Sequence, residues 1–222
     1  MLDTYDYQGE VQLCHGECFL GATPLVSTLE AMGTWLDDHP GEVLTFILEA
    51  YVDEATTQQA LMDGGVWDLV YHHDAPPGSP WPTLGEMVDA DQRLVIFTDD
   101  GGANGEWHLN WTSYGWETPY DDATFTCEDG RGDPSAYDNQ VFILNHYVLC
   151  DLGGCPDNAD QYNAWDHLLP RALECWEEDP QFNPWGQIPT FLNLDHYDHP
   201  SPGAETPAAD AFDVADALNE MW

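Results

Sequence analysis

The densest run of reactive side chains opens the chain, in residues 1–18, MLDTYDYQGEVQLCHGEC. Two aspartates, Asp3 and Asp6, precede a turn at Gly9, a returning strand, and His15 followed by Gly16. Asp3 and Asp6 are oxygen donors of the kind a hard cation such as Ca²⁺ gathers. His15 can give or take a proton near neutral pH. Gly16 lets the backbone approach a ligand closely. The plain alternative is two surface aspartates and a loop histidine.

A second pattern lies at the ends of the apolar runs. Residues 43–48 end in Glu49, and 94–98 in Asp99 and Asp100. Residues 141–145 end in His146, and 190–194 in Asp195 and His196. Continuous apolar runs alternating with helix-period segments argue for a parallel sheet covered by helices. The carboxyl ends of such strands are where barrel enzymes place their active sites.

The elements that must hold these groups are legible in outline. Leu25, Leu29, Met32 and Leu36 recur at helical spacing across 24–37. Residues 55–62 and 160–178 read as helices, the latter expected to kink at Pro170. Thr83 and Glu86 form a capping box opening a short helix over 83–88. A last helix spans 208–221. The Pro/Gly-rich stretches 75–82, 99–105 and 200–207 are too short for linkers and read as loops, so residues 1–222 are expected to form one domain.

Charge excludes several functions. The chain has 222 residues, with 42 Asp+Glu against 3 Lys+Arg, for a net charge of −39. The cations are Arg93, Arg131 and Arg171. Nucleic-acid binding and polybasic membrane anchoring both need clustered Lys and Arg, which are absent. No apolar run is long enough for a spanning helix. A solvated, salt-adapted surface or cation binding at several points would each account for the acidity.

Six cysteines, Cys14, Cys18, Cys127, Cys150, Cys155 and Cys175, lack CxxC spacing, which argues against zinc. Cys14–Cys18 and Cys150–Cys155 can each close a short loop, leaving Cys127–Cys175, in an oxidising compartment. Buried free thiols are the alternative. His72–His73–Asp74 reads as a turn, His196 and His199 as loop residues, and Arg131–Asp133 as a chance RGD. Trp107, Trp111 and Trp116, with Tyr114 and Tyr120, either form an interfacial lip or pack beneath a long loop.

The opening segment resembles the second strand of the phosphatidylinositol-specific phospholipase C X domain and its phosphodiesterase superfamily. It is most similar to secreted bacterial and fungal members with a Cys on each side of the His. The resemblance continues through TWLDDHPGEVLTFILEA, WPTLGEMVDADQRLVIFTDD, FILNHYV and PTFLNLDHYD to the closing helix with ALNEMW. It implies an α/β fold, a distorted TIM barrel, here apparently without its first βα unit. It also implies cleavage of a phosphodiester by an adjacent hydroxyl, with water opening the cyclic product. His15 falls on the second family His, the general acid for the leaving group. Asp3 and Glu49 fall on two Ca²⁺ ligands of the metal-dependent branch. A third falls on Met1, which is no hard oxygen donor. Asp195 and His146 match strand ends near the pocket, as substrate-pocket candidates with Asp6.

The family opens with a strand carrying its first His, and this chain begins within the second strand. Truncation of a longer, secreted protein is the expectation, with the signal peptide lost alongside. The expected partner is a phospholipid or glycerophosphodiester substrate, acted on by a monomer with no transmembrane segment. A glycerophosphodiester phosphodiesterase or sphingomyelinase D-like enzyme is the nearest alternative. An inactive secreted binding protein on the same fold is the other.

Overall fold

The structure, a computed structural model, describes residues 1–99, 106–120, 125–148, 159, 161–177, 179–197 and 209–222. Asp100, Cys150, Cys155, Asp198 and His199 lie outside the described residues. The architecture is mixed α/β, and the chain divides into two compact units, Met1–Ser113 and Tyr114–Trp222.

The first unit is built on a six-stranded sheet of order β3-β2-β1-β4-β5-β6. Its strands are β1 (Leu2–Tyr7), β2 (Glu10–Leu13), β3 (Thr23–Pro24), β4 (Leu44–Ala50), β5 (Leu94–Thr98) and β6 (His108–Asn110). β1 and β2 form an antiparallel hairpin turned at Gln8 and Gly9, both with positive φ. β1, β4, β5 and β6 run parallel.

Strand alternation sorts the side chains. Leu2, Phe46, Leu48, Leu94 and Ile96 point one way and meet Leu25, Leu29, Ala60 and Leu61 from α1 (Leu25–Asp38) and α2 (Glu54–Asp63). On the other face Phe97 packs against Trp81 and Trp111. β5 is therefore buried along its whole length, the reason it reads as an unbroken apolar run.

Local signals set the helix ends. The Asp53 carboxylate caps α2 by accepting from Thr56 N at 2.8 Å. Thr83 opens α3 (Leu84–Asp89) with the full capping box. Thr83→Ala is expected to cost about 1 kcal/mol, read as a lower urea midpoint at unchanged slope. Arg93, itself buried, donates to Leu36 O at 2.9 Å and to Asp91 at 2.8 Å. One of three cations is thus committed to the carbonyl end of α1, where the helix dipole favours positive charge.

The second unit follows a turn of helix, α4 (Trp111–Tyr114). Its sheet is parallel, in the order β7 (Gly115–Glu117), β8 (Val141–Asn145), β9 (Phe191–Asn193). Trp116, Phe142 and Leu144 pack on Leu168, Ala172 and Cys175 of α5 (Trp165–Trp176) and on Val214 and Leu218 of α6 (Ala209–Met221). α5 begins later than the 160–178 segment suggested, after an extended Ala164, which places Pro170 in its second turn. Disulfides join Cys14 to Cys18 and Cys127 to Cys175.

Candidate functional site

Asp3 near the start of β1, Glu49 near the end of β4 and Asp99 just past β5 form a row of acids on one face of the sheet. Asp3 and Glu49 are register partners. One step past the Leu48–Thr98 pair, Asp99 continues the row. Its N–H donates to Leu48 O at 3.1 Å and its carboxylate accepts from Ala50 N at 3.2 Å. The three acids repel one another. Burial first, then the charges of Asp3 and Asp99, hold the Glu49 carboxyl above the usual carboxylate range.

His15 joins the row from the loop after β2. Cys14 N donates to Asp3 O at 3.3 Å, and His15 Nδ1 lies 2.9 Å from Asp3 Oδ2. An ionised carboxylate only accepts, so Nδ1 carries the proton and Nε2 faces outward. The His15 side chain is 98% exposed while that of Asp3 is 14% exposed. A half-buried acid thus holds an accessible imidazole in one orientation, the arrangement a proton donor needs.

An aromatic pair flanks the row. Tyr5, on the same face of β1 as Asp3, stacks on Tyr51 with centroids 4.3 Å apart. The hydrogen bond that the Tyr51 hydroxyl gives to Tyr5, then the Glu49 charge, push that hydroxyl up to about 12.

Asp6 stands apart from this group. Three residues is an odd step in a period of two, so Asp6 points to the opposite face of β1 from Asp3, exposed near the hairpin turn. The donor chemistry of Asp3, Glu49 and Asp99 suits a hard cation, whose charge would relieve their repulsion. Among the described residues, however, no three His, Cys, Asp or Glu side chains converge as a metal-ligand set.

The second unit holds a polar network at the carboxyl ends of its own strands. Glu117, 1% exposed, accepts from Arg131 Nε and from Asn145 Nδ2, the latter at 3.0 Å. Asn193 Nδ2 donates to Asn145 Oδ1 at 2.7 Å. Arg171 donates to Thr126 O at 2.9 Å and to Asn145 O at 3.2 Å. Burial first, then the Glu117 charge, push the Tyr147 hydroxyl up to about 12. Two of the three cations therefore serve one sheet end. The RGD is structural: Gly132 has φ 83°, and a Cβ there would meet the backbone of β7.

His146 is buried, and its Nε2–H donates to Tyr162 O at 2.7 Å. Burial pulls its pKa down to about 4, from the ordinary 6.5 of a histidine. A histidine depressed in the folded state keeps its stability above the unfolded pKa and loses it as pH falls below. Lowering pH from 6.5 to 4 should therefore cost about 3 kcal/mol through this group. The difference between wild type and His146→Gln in urea midpoint across that window reads the effect apart from the many carboxylates. A constant difference would contradict it.

Asp195 is partly exposed, its backbone carbonyl held by Asn163 Nδ2 at 3.0 Å and its carboxylate 3.7 Å from His196 Nε2. His73 is packed rather than exposed, stacked on Trp81 at 4.4 Å. Trp107, Trp111, Trp116 and Tyr114 are buried, so of the two readings of that cluster packing holds for them, while Tyr120 is exposed.

The family model described as PI-PLC X 1 matches residues 2–201. The chain belongs to the PI-PLC X domain family. Among its relatives is an uncharacterized secreted protein of Arthroderma benhamiae, 25% identical over 218 residues, covering 87% of this chain and 48% of the relative. A PI-PLC X domain-containing protein of Arabidopsis thaliana is 28% identical over 142 residues, covering 60% of this chain and 31% of the relative. PI-PLC X domain-containing protein 1 of Arthroderma benhamiae is 30% identical over 163 residues, 66% of this chain and 51% of the relative. The chain thus spans about half or less of the length of these relatives. No solved structure matches it. Among the described residues no helix is long and apolar enough to cross a membrane.

The PI-PLC X match spans the acid row and the whole of the second network. Sequence reasoning named His15, Asp3 and Glu49 and noted Asp99 as a strand end. It missed Tyr5, Tyr51, Glu117, Arg131, Asn145 and Asn193. Of these Glu117 left the faintest signal, a single acid that ends a three-residue strand.

Proposed function

We propose that this PI-PLC X domain protein is a phosphoric diester hydrolase of the phospholipase C type, with the family's distorted barrel as its complete fold. The observation that carries the reading is the 2.9 Å contact between His15 and Asp3 at the acid row in a chain of this family. A hydroxyl of the substrate attacks phosphorus and passes its proton to water, the bond to the leaving oxygen breaks, and His15, acting as the imidazolium with Nδ1–H held by Asp3, gives that oxygen the proton from Nε2. Asp3 holds the ring so that Nε2 faces the leaving group.

Ca²⁺ is the proposed metal, held by Asp3 and Glu49, with Asp99 beside them. When bound it supplies positive charge for the phosphoryl oxygens. It also answers a physical difficulty, since a chain of net charge −39 repels an anionic diester. Because Glu49 must lose its raised proton to ligate, Ca²⁺ affinity should rise with pH. Calorimetric titration at pH 5 and pH 7.5 checks this, and an affinity independent of pH, or no binding, would remove the metal from the account.

The protein is proposed to act outside the cell, supported by the two disulfides among the described residues and by a relative described as secreted. Head-group assays decide the activity, using the product of the complete gene with phosphatidylinositol, glycerophosphocholine and sphingomyelin. Release of a cyclic inositol phosphate from the first is the expected result. Turnover of the second or third alone points to the glycerophosphodiesterase or sphingomyelinase D-like reading, and turnover of none to the binding protein.

A further inference from the structure

His15 sits in a loop that the body of the protein barely holds. Its side chain is almost fully exposed, and residues 16, 17 and 19–22 are exposed with it. The backbone hydrogen bonds of the loop are local. Glu17 N donates to His15 O at 3.0 Å, Leu20 N to Glu17 O at 2.9 Å, and Gly21 N to Cys18 O at 3.2 Å. Among the described residues, the His15–Asp3 contact is the one hydrogen bond from residues 15–22 to the sheet.

What closes this loop is covalent. Cys14 is buried, and its N–H donates at 3.3 Å to the carbonyl of Asp3, the residue whose carboxylate meets His15. The disulfide to Cys18 brings the chain back to that point four residues later, with His15 inside the ring. Its span sets it apart from the second disulfide. A cross-link restricts the unfolded chain more as the loop it closes lengthens. Cys127–Cys175 spans 48 residues and packs in the core of the second unit, as a link that stabilises a fold would. Cys14–Cys18 restricts the unfolded chain less, so its constraint falls mainly on the few residues inside it.

We propose that the Cys14–Cys18 disulfide is a positioning device for proton transfer, which holds the His15 imidazole against Asp3 and releases it when the bond is reduced. Opening the bond takes two electrons and two protons from a dithiol, which becomes a disulfide while Cys14 and Cys18 become thiols. Residues 15–22 then regain backbone freedom, and the one orientation in which Nε2 faces the leaving group is diluted among many. The catalytic consequence rests on the phosphodiesterase reading; the ordering of His15 does not.

The test compares the full chain with its Cys14→Ala, Cys18→Ala variant. Backbone order parameters from nitrogen-15 relaxation read the loop without turnover. Those of His15 and Gly16 should be about 0.85 in wild type and below about 0.6 in the variant, with β1 unchanged. Activity then reads the proton transfer. On an inositol diester leaving as an alkyl alcohol, the variant should lose at least about tenfold in kcat, with KM within about twofold. On one leaving as a nitrophenol, which departs without a proton, the loss should stay within about threefold. A merely structural cross-link would lower both alike. Wild type in which a dithiol has opened this bond alone, confirmed by mass spectrometry of the trapped thiols, should behave as the variant does. It takes the variant's place if the substitutions prevent folding.

Unchanged order parameters at His15 and Gly16, or equal losses on the two diesters, overturn the positioning role. A loop ordered in wild type and mobile in the variant, with turnover by neither, keeps that role and sinks the phosphodiesterase reading. Equal turnover by wild type and variant does the reverse.

Discussion

His15→Ala is expected to abolish turnover while leaving the fold intact. General acid catalysis contributes about 10²–10⁴ in rate, and a phosphodiester that must expel an alkoxide sits at the demanding end. The fold should not notice, because the His15 side chain is 98% exposed and its one resolved polar contact is with Asp3. The expected signature is a kcat at least about a hundredfold lower, with KM and melting temperature close to wild type. Retention of more than about a tenth of wild-type activity would remove His15 from the acid's role. Asp3→Asn should give a smaller loss, since an amide still reaches Nδ1 but no longer fixes the tautomer.

The largest expected stability loss comes from Glu117→Ala in the second unit. Glu117 is almost fully buried and bonds both Arg131 and Asn145. Its removal takes one of two acceptors from Asn145 Nδ2, which keeps Thr118 O at 2.6 Å, and takes the carboxylate from Arg131. Breaking a buried pair from one side costs about 3–5 kcal/mol, and the partial exposure of Arg131 places this case at the lower end, about 3 kcal/mol. Glu117→Gln keeps the shape and one acceptor, and should lose about half as much. Urea unfolding of the two variants against wild type reads this directly. A Glu117→Ala midpoint equal to wild type would mean that the network is incidental.

The helices were legible because their signals are local. The spacing of Leu25, Leu29 and Leu36 anticipated α1, and the Thr83–Glu86 box anticipated the start of α3. The unbroken apolar runs anticipated β4, β5 and β8, because parallel strands covered on both faces have no polar side to show. In the site, Glu49 was readable as a strand-end group, Asp3 and His15 as a carboxylate strand and a following His-Gly, and all three as a family pattern. That Asp3 bonds His15, and that Asp99 crowds Glu49, depends on register between strands separated by long stretches of chain, and composition does not encode register.

Other features escaped for related reasons. β7 is three residues long, too short for periodicity to register, and Glu117 finds its partners 14 and 28 residues away. Asp6 invited association with Asp3 by proximity in sequence, whereas strand alternation turns it to the other face. The tryptophans suggested an interfacial lip by composition. Burial shows Trp107, Trp111 and Trp116 packed.

The most direct test of the central claim compares leaving groups. Wild type and His15→Ala would be assayed on two inositol phosphodiesters, one leaving as an alkyl alcohol and one as a nitrophenol. A general acid matters only where the departing oxygen needs a proton, so the account predicts a loss of at least about a hundredfold on the alkyl diester and under about tenfold on the aryl one. Equal losses on both would contradict it, because His15 would then be doing something other than protonating the leaving group.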